Sequence, residues 1–246
     1  MSDSNTPWKH VWITGASSGL GEQAALILAS MGCNVSISAR SEDKLNDIAA
    51  KSDRIAAYPV DVTNPAQIKT VVAQAESSRG PIDLAIFCAG AWFPGSIEDL
   101  EIDNFAQTMN VNVNGVIYAL DAVLPQMLSR GMGHVSWISS VAGYGGLPNS
   151  AAYGASKAAL INLAESVKPE LSDKGIDVSV INPGFVETPM TAKNDFPMPF
   201  LMNVEDAGKA IVDGLMKKKF EITFPWQLAR ILKTINLLPY SAYFWV

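Results

Sequence analysis

A tyrosine and a lysine four residues apart, Tyr153 and Lys157, have the clearest potential for chemistry in this chain. They lie in a run of alanine and serine that favours a helix, and positions i and i+4 stand on one helix face. A free phenol titrates near ~10, too high for an efficient acid or base at neutral pH. A neighbouring ammonium favours the phenolate, so we expect Lys157 to lower the pKa of Tyr153. Such a phenol can exchange a proton with an alcohol or carbonyl oxygen.

A serine is placed to assist this pair. Ser140 follows an apolar run that is typical of a strand and precedes a glycine-rich stretch that leads to Tyr153. Its hydroxyl can hydrogen-bond to the same substrate oxygen. Taken alone, the Tyr-x-x-x-Lys spacing is equally compatible with an ordinary surface helix, so the interpretation depends on the rest of the chain.

A glycine-rich turn near the start of the chain supplies that context. The apolar run His10–Thr14 is typical of a buried strand, and Gly15, Gly19 and Gly21 separate it from a helical pattern that continues to Met31. Glycines between a strand and a helix let the backbone approach a pyrophosphate, and the helix N-terminus supplies N–H groups and a favourable dipole. The pattern therefore predicts a dinucleotide site, with a plain loop as the alternative.

These motifs together resemble the short-chain dehydrogenase/reductase family. The resemblance rests on TGASSGLG at residues 14–21 with Ser140, Tyr153 and Lys157, and it extends from about Lys9 to Phe224. It implies that the tyrosine is the general acid/base. It also implies that the lysine lowers the pKa of the tyrosine and holds the nicotinamide ribose, while the serine orients the substrate oxygen.

The same resemblance implies further site residues. The family's fourth catalytic residue is an asparagine that distorts its helix and holds a water beside the lysine, and the offset to Ser140 places it at Asn112. The Val186 backbone and Thr188 are expected to hold the nicotinamide carboxamide. Asp61 is expected to accept a hydrogen bond from adenine, with an Asx-turn as the alternative. The other expected cofactor contacts are Gly15, Ser17, Ser18, Gly19, Leu20, Gly21, Arg40, Val62, Ala89, Gly90, Tyr153, Lys157, Pro183 and Gly184.

One segment departs from the family pattern. The family usually has Asn-Asn-Ala-Gly after the fourth strand, whereas this chain has Phe87-Cys88-Ala89-Gly90. The departure puts the local hydrogen bonding of the sheet in doubt. We expect Cys88 to be a small buried hydrophobe rather than a nucleophile.

The residues after the second predicted strand favour NADP(H) over NAD(H). NAD enzymes usually place an acidic residue there for the ribose 2′-hydroxyl, and this chain has Ala39 followed by Arg40. A guanidinium suits a phosphate and can stack on adenine, and Ser17 or Ser41 can donate to the same phosphate. The alternative is that Arg40 is a solvated turn residue.

Seven short apolar runs alternate with helical patterns. This alternation predicts an α/β fold, a doubly wound, parallel, seven-stranded, Rossmann-like sheet. A single helix with possible interruptions is expected over Asp103–Arg130, and another from Ala151, which Pro169 should kink or end early. The expected strands are residues 10–14, 34–39, 55–60, 83–88, 133–139, 176–182 and 220–224.

The C-terminal part of the chain is organised differently. We expect a dinucleotide-binding domain over residues 1–225, in which residues 189–203 form an apolar substrate lid or simply pack locally. Residues 226–246 form an amphipathic tail, because apolar residues recur at i, i+3, i+4 and i+7. The tail should pack against protein, over its own substrate mouth or across a subunit contact; peripheral membrane contact is the alternative.

Composition narrows the class of protein. The formal net charge is −6 and no basic cluster suggests a nucleic-acid partner. Two cysteines exclude a disulfide scaffold and fit a reducing cytoplasm, as does an N-terminus without a signal-peptide pattern. No apolar stretch reaches the ~20 residues of a spanning helix. The two histidines lack metal-ligand spacing, so no metal is expected.

The sequence thus predicts an NADP(H)-dependent oxidoreductase that interconverts a ketone or aldehyde and an alcohol. Apolar residues around the lid, with Trp92 and Phe93, favour reduction of a lipophilic carbonyl substrate. A homodimer or homotetramer is expected by analogy, through the long helices that hold Asn112 and Tyr153. A nicotinamide-binding regulatory or scaffold protein without turnover and a membrane-surface reductase are the alternatives.

Overall fold

The computed structural model of the protein describes residues 6–98 and 100–245, so the first residues of the expected domain and the last residue of the tail, Val246, lie outside the described residues. Within that part, the sheet has the strand order β3-β2-β1-β4-β5-β6-β7 and every pairing is parallel. The predicted doubly wound fold is confirmed. The strands are β1 His10–Thr14, β2 Asn34–Ser38, β3 Ile55–Ala57, β4 Leu84–Phe87, β5 Gly133–Ile138, β6 Ile176–Pro183 and β7 Glu221–Phe224.

The helices cover both faces of this sheet. Successive side chains of a strand point to opposite faces, so Val11 and Ile13 of β1 enter one core while Trp12 enters the other. A parallel sheet covered on both faces needs such continuous apolar strands. The α-helices are α1 Gly19–Ser30, α2 Glu42–Ala49, α3 Pro65–Arg79, α4 Ile102–Met109, α5 Gly115–Arg130, α6 Ala151–Ser172, α7 Val204–Met216, α8 Trp226–Ile235 and α9 Tyr240–Tyr243.

The helix expected over Asp103–Arg130 is interrupted at the site. A π-helical turn, Asn110–Asn114, separates α4 from α5. Asn112 is fully buried in this turn, whereas Asn110 and Asn114 bond to each other at the surface. Single π-turns are frequent at functional sites because they redirect one side chain.

Pro169 does not end α6, contrary to the sequence expectation. The helix continues to Ser172, and the Pro169 carbonyl accepts a hydrogen bond from the N–H of Asp173 at 3.2 Å. A proline removes its own N–H bond and crowds the carbonyl four residues earlier, and here Pro169 lies in the last turn, where few helical bonds remain to be disturbed. Leu171 is buried in the core, and its packing holds this turn in place.

The tail packs on the domain through its first helix. Leu228 and Ala229 of α8 are buried against Val141, with Tyr144 and Phe185 at the edge of the cluster. None of the helices in the described part of the chain is long and apolar enough to cross a membrane.

Candidate active site

A large cavity opens at the carboxyl ends of the central strands. It has a volume of about 1210 Å³ and lies where β1 and β4 are neighbours, at the point where the strand order reverses. Ligands of open α/β sheets bind in this position. Of the expected site residues, Gly15, Ser17, Ser18, Gly19, Leu20, Arg40, Asp61, Val62, Ala89, Gly90, Ser140, Tyr153, Lys157, Pro183, Gly184, Val186 and Thr188 line it, and Gly21 and Asn112 do not.

The glycine-rich turn has no room for side chains. Gly15 has a φ of +66°, and a Cβ placed on it would stand 2.4 Å from the backbone nitrogen of Ala89. A Cβ on Gly21 would stand 2.6 Å from the Gly15 carbonyl oxygen, which explains its place behind the cavity wall. Ser18 precedes α1 without a side-chain bond to the first helical amides. The turn and the start of α1 therefore form a cradle that fits a pyrophosphate.

Basic residues line the far end of the cavity, beyond β2. Arg40 lines it as expected, and Lys44 on the first turn of α2 lines it as well. Burial raises the pKa of Asp61, but hydrogen bonds from Thr63 and the charge of Arg40 outweigh it and hold that pKa below its ordinary value. Asp61 Oδ1 accepts from the Thr63 N–H at 2.9 Å, so the Asx-turn is present.

Lys44 was missed by sequence reasoning. It stands four positions after Arg40 and just past the helix start at Glu42, so both cations lie at one end of α2. Arg40 lies before the helix, so the i, i+4 rule for helix faces does not apply, and no sequence pattern indicated Lys44.

Ser140, Tyr153 and Lys157 converge at the other end. Lys157 is buried, and its Nζ donates to the Ile138 carbonyl at 2.8 Å and lies 5.3 Å from the centroid of the Tyr153 ring. Ser140 Oγ donates to the Pro183 carbonyl at 3.3 Å and accepts from the N–H of Ala142 at 3.1 Å. Tyr153 and Lys157 therefore lie one turn apart on α6, beside the ends of β5 and β6.

Burial dominates the ionisation of this pair. It raises the pKa of Tyr153 to about 12, although a hydrogen bond with Ser140 opposes the shift, and it lowers the pKa of Lys157 to about 8. In the protein alone, burial outweighs the hydrogen bond from Ser140, so the net pKa of Tyr153 is raised. The Lys157 ammonium is held at the Ile138 carbonyl, and the expected lowering of the Tyr153 pKa by Lys157 stays a prediction.

Asn112 is bound to backbone and to α6 rather than to the lysine. Its Oδ1 accepts from the Ala91 N–H at 2.7 Å, and its Nδ2 donates to the Ala91 carbonyl at 3.1 Å and to Ser156 Oγ at 2.9 Å. These bonds fix the loop after β4 to helix α6, which carries Tyr153 and Lys157. A role of Asn112 in proton relay stays a prediction.

The departure at Phe87-Cys88-Ala89-Gly90 does not interrupt the sheet. β4 pairs with both β1 and β5, and the N–H of Cys88 donates to the Thr14 carbonyl at 3.2 Å. Burial raises the pKa of the Cys88 thiol to about 12, so the sulfur stays a neutral thiol at physiological pH. Cys88 packs beside the core, as expected of a small hydrophobe.

Apolar side chains close the mouth beside Tyr153. The Trp92 ring meets the Tyr153 ring edge-on, with centroids 5.0 Å apart, and Phe93 and Met190 also line the cavity. Phe196 in the lid segment packs on Phe185 at 6.0 Å. No group of three His, Cys, Asp or Glu side chains within residues 6–98 and 100–245 could hold a metal ion.

Comparison with known proteins identifies relatives along most of the chain. The family described as short chain dehydrogenase matches residues 9–197. An uncharacterized oxidoreductase of Myxococcus xanthus is 38% identical over 231 residues, which cover 92% of this chain and 91% of the relative. One of Staphylococcus haemolyticus is 35% identical over 205 residues, covering 82% of this chain and 89% of the relative.

Solved structures share the fold. A short-chain dehydrogenase from Streptomyces avermitilis superposes with a TM-score of 0.83 at 28% identity, over 93% of this chain and 92% of that one. The protein ElxO, solved with NADP bound, superposes with a TM-score of 0.80 at 25% identity, over 89% of this chain and 99% of its own.

Proposed function

Because this chain belongs to the short-chain dehydrogenase family, we propose that it reduces a lipophilic ketone or aldehyde to an alcohol with NADPH. The chain is an oxidoreductase of a family that uses nicotinamide cofactors. The observation that carries the proposal is the convergence of Ser140, Tyr153 and Lys157 on a cavity whose other end is a glycine cradle beside two cations.

The catalytic roles follow from the ionisation states. A bound nicotinamide supplies the hydride. Tyr153 is protonated at neutral pH, so its hydroxyl is suited to donate a proton to the carbonyl oxygen. Ser140 orients the same oxygen. Lys157 is largely charged below pH 8, and its ammonium stabilises the phenolate that proton donation leaves behind.

The cofactor would lie along the cavity, from the cations to Lys157. Arg40, Ser41 and Lys44 are suited to a ribose 2′-phosphate, and Ala39 adds neither bulk nor negative charge. The pyrophosphate fits the cradle at Gly15 and the start of α1. The carboxamide would rest at Val186 and Thr188. The NADP bound to ElxO, a structure of the same fold, supports this choice of cofactor.

An apolar mouth supports a lipophilic substrate. Trp92, Phe93 and Met190 line the cavity on the side of Tyr153, opposite the cations. An apolar substrate gains about 25 cal/mol per Å² of surface that such a wall removes from water. We place the protein in the cytoplasm, since Cys33 and Cys88 are free thiols, and we expect a homodimer or homotetramer.

The first prediction concerns Tyr153→Phe. The variant keeps the aromatic ring but has no hydroxyl proton to donate. Its kcat on an accepted ketone should therefore fall ~10²–10⁴-fold while its affinity for NADPH is unchanged. A panel of aliphatic, steroidal and aromatic ketones, read by loss of NADPH absorbance, supplies the substrate, and calorimetry supplies the affinity. Tyr240→Phe, on an exposed side chain of α9, is the matched control.

Two results would contradict this assignment. Wild-type rates in Tyr153→Phe would remove the phenol from the reaction. Tight NADPH binding without turnover on any carbonyl would favour a regulatory or scaffold protein.

The second prediction concerns cofactor choice. Wild type should have a ratio of kcat/KM for NADPH over NADH above one. Ala39→Asp/Arg40→Ala should lower the ratio, because the new carboxylate repels the 2′-phosphate and the guanidinium that would bind it is lost. Lys44→Ala should lower it less. Lys51→Ala is the control, since Lys51 pairs with Glu22 outside the cavity. A wild-type ratio below one, or a ratio that the double change leaves unmoved, would remove Arg40 from the site.

A further inference from the structure

We propose that Trp92 latches the substrate lid, residues 189–203, over Tyr153 through a hydrogen bond to Asn194. Trp92 is thereby a positioning residue that retains the substrate. The assignment of substrate retention rests on the proposed function, whereas the latch itself is a property of the protein without ligands.

The first observation is a bond between distant parts of the chain. Trp92 Nε1 donates to Asn194 Oδ1 at 3.1 Å, across 102 positions of sequence, so the loop after β4 is joined to the segment after β6. An indole is a donor only, which requires the oxygen of the Asn194 amide to face it. The other end of that amide, Nδ2, contacts Met198 Sδ at 3.4 Å within the lid. The hydrogen bond therefore runs from the indole N–H to the amide oxygen, and the contact of Nδ2 with Met198 holds the Asn194 amide in that orientation.

The second observation is the contact of the same indole with the catalytic tyrosine. The rings of Trp92 and Tyr153 meet at a centroid distance of 5.0 Å and an interplanar angle of 64°. Edge-on aromatic pairs are favourable beyond the area they bury. One rigid side chain therefore touches the general acid at one edge and holds the lid at the other.

The body side of this connection is rigid. Ala91, the neighbour of Trp92, is bonded through both its N–H and its carbonyl to Asn112, and Asn112 is bonded to Ser156 on α6. Helix α6 also carries Tyr153. The indole is thus fixed to the catalytic helix through a buried asparagine, and the lid is the part that can move away.

The lid side is anchored mainly at its ends. At its C-terminal end, the Met202 N–H donates to the Phe185 carbonyl at 3.0 Å, and the Met202 carbonyl accepts from the Glu187 N–H at 2.9 Å. Its middle exposes Phe196 and Phe200 by 42% and 47%. Such a segment, with exposed apolar groups and few backbone bonds, belongs to the low-stability end of a fold. Between its ends, the lid is joined to the body by the Asn194 hydrogen bond and by the contact of Phe196 with Phe185, so loss of the Asn194 bond should favour opening.

The first experiment reads the latch in the protein alone. Lys193 is exposed, so trypsin should cut the lid there when it opens. Trp92→Phe keeps a ring against Tyr153 and removes the N–H, and Asn194→Leu removes the acceptor at similar size. Each should speed this cleavage ~3–10-fold, the factor expected for one net hydrogen bond. Trp92→Phe carries the comparison, because Asn194 directly follows the bond that trypsin cuts and its substitution also changes the cleavage site. Lys193→Gln identifies the cut, and Trp226→Phe, on the exposed start of α8, is the matched control.

The second experiment separates positioning from general damage. On a carbonyl substrate that wild type accepts, both latch variants should raise KM ~3–10-fold with little loss of kcat. Asn194→Asp keeps an acceptor and should restore the wild-type KM. Because both single variants break one bond, Trp92→Phe/Asn194→Leu should be no worse than either.

The outcomes decide the proposal. Unchanged cleavage in Trp92→Phe, or additive effects on KM in the double variant, would overturn the latch. A fall in kcat with unchanged KM would overturn the positioning role. If wild type reduced no carbonyl, the cleavage result would still decide the latch, while the proposed function would fail separately.

Discussion

Lys157 is buried and Tyr153 is half-buried, and the loss of hydration opposes the charged form of each. The pKa of the phenol rises to about 12 and that of the ammonium falls to about 8. At pH 7 the site therefore holds a neutral phenol and a buried cation. A protonated phenol suits the proton transfer of carbonyl reduction, whereas alcohol oxidation needs that phenol to act as a base.

The third prediction follows from linkage at Lys157. Its ordinary pKa is 10.5 and its folded pKa is about 8, so between these values the unfolded chain binds a proton that the folded chain has lost. The unfolding free energy of wild type should therefore rise with pH across this window. In Lys157→Met this rise is absent. The unfolding free energy of the variant minus that of wild type should therefore become more negative by on the order of 3 kcal/mol from pH 7 to 10.5.

Urea denaturation at several pH values measures this difference. Tyr153 also titrates near the top of the range, but it is present in both proteins and largely cancels. If the difference in unfolding free energy stayed constant from pH 7 to 10.5, burial would not lower the pKa of Lys157 in the folded protein.

Residue identity and spacing predicted the positions of the site but not its electrostatics. Ser140, Tyr153 and Arg40 were recoverable because each belongs to a motif, and all three line the cavity. The rise in the pKa of Tyr153 was not, because desolvation depends on what packs around α6. Lys44 carries no motif, and only the orientation of α2 shows that it lines the cavity.

At the scale of elements, patterns fixed by local chemistry were predictable. β1 begins and ends at His10 and Thr14 as expected, because a buried apolar run stops at a glycine. Asn64 caps α3 by accepting from the N–H groups of Ala66 and Gln67. The π-turn at Asn112 and the continuation of α6 past Pro169 depend on tertiary contacts. The spacing of apolar residues along the sequence predicts neither feature.

The tail helix α8 is joined to the loop after β5 by a cluster of polar side chains. Glu221 of β7 accepts from Tyr144 Oη at 2.7 Å and from Asn182 Nδ2 at 2.9 Å, and it pairs with Lys233 of α8. Lys233 Nζ also lies 4.8 Å from the centroid of the Tyr144 ring. Tyr144 directly follows the short 3-10 turn that Ser140 caps, so this carboxylate connects the tail to Ser140.

The fourth prediction tests that cluster through Glu221→Gln. Burial raises the pKa of Glu221, but bonds from Lys233, Tyr144 and Asn182 outweigh it and hold the pKa below its ordinary 4.5. A group with a depressed folded pKa stabilises the protein above its unfolded pKa and loses that effect as pH falls through the folded value. The variant should be less stable by ~1–3 kcal/mol at pH 7, with the gap closing below pH 4.5.

Thermal or urea unfolding at pH 7 and at acidic pH measures this gap. Asp121→Asn is the matched control, because Asp121 pairs with Lys69 at the surface. An equal loss at both pH values would assign the effect to altered packing rather than to the charge of Glu221.

At the scale of the whole molecule, the tail leaves an apolar surface uncovered. Leu237, Tyr240, Phe244 and Trp245 are exposed by 84%, 78%, 77% and 90%. Tyr240 stacks on Phe244 with centroids 5.9 Å apart, and Tyr243 meets Phe244 edge-on at 5.3 Å, so these three rings form one patch, next to the exposed Trp245. Contiguous patches of this kind on soluble domains mark contacts with protein or lipid.

The charge of the chain favours protein over an anionic bilayer. Its formal net charge is −6, and the tail carries only Arg230 and Lys233, of which Lys233 is paired with Glu221. Interfacial helices normally have a basic polar face that adds attraction to anionic lipid. Helix α5 also exposes Ile117 and Leu128, by 43% each, on the element through which the family resemblance implies subunit contacts.

The fifth prediction is that the tail patch covers a second copy of the chain. Phe244→Ser/Trp245→Ser removes the two most C-terminal aromatic side chains without touching Leu228 and Ala229, which anchor α8 on the domain. Light scattering at fixed concentration should show a smaller oligomer for the variant than for wild type, with an unchanged monomer fold by circular dichroism. Flotation with anionic vesicles at about 0.1 M salt, where the Debye length is ~10 Å, should recover neither protein. An unchanged oligomer together with vesicle binding that only wild type shows would instead assign the patch to a membrane surface.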